Sequence, residues 1–115
     1  MAIRAAIYTW YRGDEADDPE QNNAVQEERC RAYAEASGYQ IVRTFNERTL
    51  EMTDDRPELR ALRALIWSRR VDLVLAANPS RLYLDADRLQ RFNSETRELG
   101  ARLEFLESPN VLDFM

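Results

Sequence analysis

The segment from Val71 to Leu82 constrains the fold more than any other part of the chain. It begins with a short apolar run, Val71 to Ala77, and continues into Asn78-Pro79-Ser80, a sequence that stops a strand. A run this short and this apolar predicts a strand buried on both faces, as in a parallel sheet. Ligands of such sheets bind just past the carboxyl ends of the strands. Ser80 and Arg81 are therefore expected to lie at a functional site.

Size and composition limit the classes of protein to which the chain can belong. The chain has 115 residues, enough for a single domain, 1–115, with one core. No apolar run approaches the roughly 20 residues that span a bilayer. The lone Cys30 and the absence of histidine exclude an internal disulfide and a zinc cluster, so no metal or cofactor is predicted, and a reducing cytoplasm is the expected location. A net charge of −5 argues against nucleic-acid binding by bulk charge.

Strand and helix patterns alternate along the rest of the chain. Strands are predicted to start near Ile3, Tyr39, Val71 and Ala101. Helices are predicted over 20–37, 57–70 and 85–99, with Asp54 or Asp55 capping the second, Asp85 capping the third, and Gly38 and Gly100 as stop signals. The order βαβαβαβ with short connections predicts an α/β fold: a three-layer α/β/α domain with a mostly parallel sheet of four to five strands.

The sequence also supports predictions for three segments and one tryptophan. The run 14–20 holds five acids and reads as a solvated loop rather than a metal site, and 46–54 reads as a mobile polar loop. Trp67 flanks an apolar helix stripe and is predicted in the core or at its edge. The apolar tail, 111–115, is expected to pack on its own domain or on a second copy.

Several short motifs occur in a specific order along nearly the whole chain. They are Ala5-Ala6-Ile7-Tyr8, Arg31 to Tyr39, Asp55-Arg56-Pro57-Glu58-Leu59, Ser80-Arg81-Leu82 with Asp85, and Gly100-Ala101-Arg102-Leu103. Together they resemble the N-terminal catalytic domain of the serine recombinases, the resolvase/invertase group. The resemblance implies the resolvase-like strand order 2-1-3-4, with room for an added antiparallel edge strand. That family continues into a long interface helix and a DNA-binding region, neither of which is expected in 1–115.

The resemblance also implies a chemistry and the residues for it. In that family a serine after the first strand attacks a DNA phosphate, and arginines stabilise the charge. Here Trp10 stands at an expected arginine, Arg12 at the serine, Ser80 at an aspartate and Leu84 at a second arginine, while Arg81 remains. A guanidinium has no usable lone pair and cannot replace a hydroxyl nucleophile. These positions predict a chain that has no catalytic residues and is not an enzyme. The expected role is an inactive protein-interaction or regulatory module linked to recombination or mobile elements.

Two other functions stay open. One is a DNA recombinase or nuclease with a relocated site, in which Ser80, Thr9 or Tyr11 supplies the nucleophile. The other is a binder of small anions or nucleotides.

The anion-binding alternative rests on three arginines at the carboxyl edge of the sheet, Arg12, Arg48 and Arg81. No glycine-rich phosphate loop accompanies them. Pairing of Arg12 and Arg81 with nearby acids is the competing interpretation. A protein partner or a second copy is expected to bind this chain, with weak or indirect DNA binding and no membrane contact.

Overall fold

A computed structural model describes residues 2–13, 22–50 and 55–107, and the elements follow the predicted βαβαβαβ order. The elements are β1 (Arg4–Arg12), α1 (Asn23–Ser37), β2 (Gln40–Thr49), α2 (Pro57–Trp67), β3 (Leu73–Ala76), a 3₁₀ turn (Pro79–Arg81), α3 (Ala86–Glu98) and β4 (Arg102–Phe105).

The sheet has the order β2-β1-β3-β4, and each neighbouring pair is parallel. Ala5 of β1 lies opposite Leu73 of β3, and Leu73 lies opposite Arg102 of β4. The predicted strand order is confirmed, and the strands that start near Ile3 and Val71 are neighbours. The described ranges form four strands and contain no added edge strand. All four carboxyl ends meet at one edge, where a site is expected.

Helices cover both faces of the sheet, which confirms the three-layer fold. Ile7 and Leu75 point to one face and pack with Cys30 and Ala34 of α1. The alternate residues of β1, including Tyr8 and Trp10, point to the other face and form a larger core with α2 and α3. Burial raises the pKa of the Cys30 thiol to about 12, which fits the predicted role of a small buried apolar residue.

Local signals define most of the helix ends. The Asn22 side chain accepts a hydrogen bond from the Val25 backbone N–H at 2.9 Å, and Asp85 accepts one from the Asp87 N–H at 2.8 Å. Gly38 ends α1 with a φ of +76°, which a side chain would make costly. The predicted caps of α1 at Gly38 and of α3 at Asp85 are confirmed. The predicted Asp54 or Asp55 cap of α2 is wrong, since Arg56 occupies the N-cap position.

The prediction of a polar loop at 46–54 is wrong over its first four residues. Residues 46–49 continue β2 beside the end of β1, where Trp10 lies opposite Glu47 and Arg12 opposite Thr49. The strand continues because the inward side chain of Glu47, 2% exposed, has buried hydrogen-bond donors around it. Residues 51–54 lie outside the described ranges.

Trp67 is 74% exposed, so its predicted place in or beside the core is wrong. The buried side of α2 carries Leu59, Leu62 and Ile66. One residue beyond Ile66 turns by about 100° around the helix axis, which carries Trp67 out of the apolar stripe.

Two other expectations concern segments beyond the described residues. The acidic run, 14–20, and the apolar tail, 111–115, both lie outside them. None of the helices in the described ranges is both long enough and apolar enough to cross a bilayer.

Candidate functional site

Trp10 forms the centre of a cluster at the carboxyl end of β1. Its side chain is 2% exposed, and its indole Nε1 donates a hydrogen bond to Thr49 Oγ1 at 3.0 Å. The guanidinium carbons of Arg56 and Arg12 lie over the indole ring, 3.6 and 5.1 Å from its centroid. The electron-rich face of the ring attracts both cations. Trp10, which stands where the family has an arginine, therefore binds the guanidinium groups of two other arginines.

The Trp10 backbone joins three elements. The Gln26 side chain of α1 accepts from the Trp10 N–H at 3.1 Å and donates to the Trp10 carbonyl oxygen at 2.8 Å. Arg81, which is 5% exposed in the turn after β3, donates from Nη1 to the same carbonyl at 2.7 Å. These bonds fix the end of β1 to α1 and bring Arg81 to the Trp10 cluster.

Arg56 is buried at the start of α2, with 3% exposure. Its Nη2 donates to the Tyr8 hydroxyl oxygen at 2.9 Å, and its Nη1 donates to the Leu82 carbonyl. The Tyr8 hydroxyl in turn donates to Glu47 Oε1 at 3.1 Å. Burial is the largest cause of a strongly raised pKa at Tyr8, so its phenol stays protonated and can serve as this donor.

Glu47 completes the chain of buried polar groups. Its two carboxylate oxygens accept from the Leu59 N–H at 2.9 Å and the Glu58 N–H at 3.2 Å, at the N-terminus of α2. A carboxylate at this position satisfies backbone N–H donors and interacts favourably with the positive end of the helix dipole. The helix cap expected from Asp54 or Asp55 is thus supplied by Glu47 from β2.

The hydroxyl groups proposed as nucleophiles differ in access. Thr9 is fully buried and donates to Asn46 Oδ1 at 2.6 Å, and Tyr11 is 8% exposed. Ser80 is half-buried in the turn beside Arg81, and its Oγ donates to Asn78 Oδ1. Of these three hydroxyls, Ser80 has the most open position.

The structure brings together some of the predicted site residues. Trp10, Arg12 and Arg81 form one cluster, and Ser80 adjoins it. Leu84 lies before α3 with 47% exposure. The predicted Arg48 lies over the ring of Tyr11, at 5.7 Å, on the opposite face of the sheet from Trp10.

Sequence reasoning missed Arg56 and Glu47 as site residues. Arg56 was part of a family-like motif, and a signal for its role was present. A cation at the start of a helix interacts unfavourably with the helix dipole, so its presence there indicates a compensating contact elsewhere. Glu47 offered no such signal, because its partners are distant in the sequence.

One family model matches most of the chain. It is described as "Resolvase, N terminal domain" and covers residues 14–114. The chain belongs to this family. The resemblance to serine recombinase catalytic domains seen in the sequence is confirmed.

Solved structures of recombinases share this fold. The C-terminal catalytic domain of ISC1926 TnpA, an IS607-like serine recombinase, is 27% identical with a TM-score of 0.76, covering 93% of this chain and 71% of that one. The N-terminal catalytic domain of TP901-1 integrase is 22% identical with a TM-score of 0.82, covering 92% and 79%. A resolvase family site-specific recombinase from Streptococcus pneumoniae is 19% identical with a TM-score of 0.80, covering 93% and 74%. No curated protein matches the chain.

The prediction that the chain is not an enzyme is wrong, because the chain belongs to a family of catalytic domains. The resolvase N-terminal domain is a family of DNA-cleaving catalytic domains, and two of the three similar structures are catalytic domains of recombinases. That prediction rested on the residues at positions 10, 12, 80 and 84. It kept Ser80 only as an alternative nucleophile and did not consider the buried Arg56 at the same edge. Serine recombinase domains also typically form oligomers and bind DNA.

Proposed function

We propose that this resolvase-family domain acts on DNA phosphodiesters in recombination or transposition, with the phosphate bound beside Trp10 at the carboxyl edge of the sheet. The observation that carries the proposal is the convergence of Arg12, Arg56 and Arg81 on Trp10 at that edge. Arginine suits this task because its planar fork of N–H donors matches the oxygens of a phosphate.

The charge of the cluster supports an anionic ligand. Three arginines, Arg12, Arg56 and Arg81, and one carboxylate, Glu47, give a balance of two positive charges (three minus one). Two of these arginines are nearly buried, so their field is screened less than that of surface charges. Membership of the family and this charge together favour DNA over other phosphate ligands.

The three arginines have two kinds of role in the proposal. Arg12 and Arg81 contact the phosphate and stabilise the charge that develops on it. Arg56 is a positioning residue, because it holds the Tyr8 hydroxyl and stacks on the Trp10 ring.

Ser80 supplies the nucleophile in this proposal. Its Oγ forms a bond to phosphorus while one P–O bond to a deoxyribose breaks, and the Ser80 proton passes through water to the leaving oxygen. Before the reaction, Asn78 Oδ1 accepts a hydrogen bond from the Ser80 hydroxyl, which orients the Ser80 oxygen. The products are a serine–DNA phosphodiester and a free deoxyribose hydroxyl, so the step needs no cofactor.

The domain is proposed to work as a homo-oligomer in the cytoplasm and to bind DNA directly but weakly. The net charge of −5 opposes the approach of DNA as a whole, while the arginine cluster attracts one phosphate locally. Stable DNA binding then depends on several copies bound to one site, which raises the effective concentration of each.

The experiment is an assay for covalent protein–DNA adducts on a supercoiled plasmid that carries the DNA flanking the gene. The wild-type chain is expected to form adducts, and Ser80→Ala to form none. Arg81→Gln should lower the rate by roughly 100- to 1000-fold, as for loss of one donor to a developing oxyanion. Ser94→Ala, an exposed serine in α3, is the matched control and should behave as wild type. Equal adduct formation by wild type and Ser80→Ala would contradict the assignment of the nucleophile.

A further inference from the structure

A second basic region lies between α2 and α3, beside the Trp10 cluster, and shares Arg56 with it. It is a cleft of about 350 Å³. Its walls carry five arginines and one acid, namely Arg56, Arg60, Arg63, Arg88, Arg91 and Glu95. We call this region the arginine cleft.

The arginine cleft is positive although the chain is negative. Its walls sum to four positive charges (five arginines minus Glu95), against a net charge of −5 for the chain. Arg63 pairs with Glu95 at 2.6 Å, and Arg60 pairs with Asp55 at 3.0 Å. Counting Asp55 as well leaves three positive charges. Such a concentration of one sign attracts an anion to this part of the surface.

Arg63 is held in place for binding. Its Nη1 donates to the Tyr83 hydroxyl at 2.8 Å, and its guanidinium lies 5.3 Å from the centroid of the Phe92 ring. The rings of Tyr83 and Phe92 also contact each other, 5.6 Å apart. A guanidinium fixed by such contacts loses less conformational entropy when it binds a ligand.

Arg88 and Arg91 form the α3 side of the cleft. Both belong to the first two turns of α3, which begins at Ala86, so they are near the positive end of its dipole. They are three residues apart and therefore lie on the same side of the helix. Asp87, in the first turn of α3, offsets part of the unfavourable interaction between these arginines and the helix N-terminus, and a bound anion adds to that compensation.

We infer that the arginine cleft binds the phosphate backbone of DNA next to the phosphate held at Trp10. This inference rests on the proposed function and extends it. Arg56 joins the two regions, because its guanidinium lies over the Trp10 ring and it also lines the cleft. One DNA strand can thus contact both regions, and this continuity favours DNA over an acidic protein surface as the occupant.

The test compares two double variants with the same change of charge. Arg88→Gln with Arg91→Gln alters the cleft, and Arg70→Gln with Arg97→Gln alters two exposed arginines at the opposite edge of the sheet. Binding to a fluorescent duplex of the flanking DNA is measured across a salt series. Every protein also carries Ser80→Ala, so that cleavage does not affect the result. Thermal unfolding confirms that all variants are folded.

The cleft variant is expected to bind DNA roughly tenfold more weakly at low salt, and the slope of log K against log salt should fall by about one per lost arginine. The control variant should keep the parent slope. Equal slopes for the cleft variant and the parent would overturn the inference. A change confined to self-association, seen by light scattering with no change in the DNA slope, would also overturn it and assign the cleft to an acidic protein surface. Failure to detect adducts with the wild-type chain would count against the proposed function and leave this comparison of slopes intact.

Discussion

At the scale of single residues, the buried Glu47 connects the end of β2 to β1 and to the start of α2. Its carboxylate accepts from Tyr8 and from two backbone N–H groups of α2, all of them buried or partly buried. Glu47→Gln replaces one acceptor oxygen with an NH₂ group that faces donors, so we expect a loss of about 1–3 kcal/mol in the free energy of unfolding. Urea denaturation of the variant and the wild type at pH 7 measures this difference in the free energy of unfolding.

The control for Glu47 is Glu35→Gln, which removes the same charge from an exposed position on α1. Its effect is expected within about 0.5 kcal/mol of zero. If both variants lose the same stability, the buried hydrogen bonds of Glu47 do not account for the effect.

At the scale of elements, Asp72 and Arg4 join the starts of β3 and β1. Asp72 accepts from the Arg4 backbone and side chain, at 2.9 Å in each case, and its own N–H donates to the Arg4 carbonyl. The hydrogen bond from the Arg4 side chain is the main cause that lowers the Asp72 pKa from 3.8 to about 2. The folded-state pKa lies below the unfolded value. The stabilisation is therefore present above about pH 4 and is lost as the pH falls toward about 2.

Asp72→Asn should therefore have a lower free energy of unfolding than wild type at pH 7. Near pH 2 the two proteins should differ little, because Asp72 becomes protonated in the wild type. The loss at pH 7 should stay below about 1 kcal/mol, because both side chains are more than one third exposed to solvent. Denaturation curves at both pH values measure it, with Glu98→Gln, on an exposed part of α3, as the matched control. A difference from wild type that persists unchanged at pH 2 would rule out the ion pair as its source.

At the scale of the whole molecule, the apolar tail is expected to stabilise the domain or its oligomer. The segment contains Val111, Leu112, Phe114 and Met115, and water disfavours the exposure of so many apolar groups together. Removal of residues 110–115 should lower the melting temperature or change the mass measured by light scattering. Asp113→Asn, a polar change within the same segment, should do neither. An unchanged melting temperature and mass after the deletion would mean that the tail has no such role.

The sequence was sufficient for the order of elements and the layers. β3 is uniformly apolar, and Gly38 and Asp85 mark helix ends by their own chemistry, so these signals are local. The strand order came from resemblance to the family. Arg12 and Arg81 were placed at the correct edge because the ends of parallel strands meet there.

The rest depended on contacts between residues far apart in the chain. The Tyr8–Glu47 bond joins residues 39 positions apart, and the Arg56–Tyr8 bond joins residues 48 apart. A charged residue in a polar stretch predicts an exposed loop unless its buried partner is known, and the partners of Glu47 are distant in the sequence. Arg48 was placed with the anion site for the same reason: its face could be assigned only once β2 was known to extend to Thr49.

The most direct test of the account is to map the covalent bond between this domain and DNA. The adduct formed on the supercoiled plasmid is digested with nuclease and protease, and mass spectrometry locates the residue that carries the nucleotide. We expect a nucleotide on Ser80, which lies beside the arginine cluster and is the most accessible of the three candidate hydroxyls. A nucleotide on Thr9 or Tyr11, or no adduct from the wild-type chain, would contradict it.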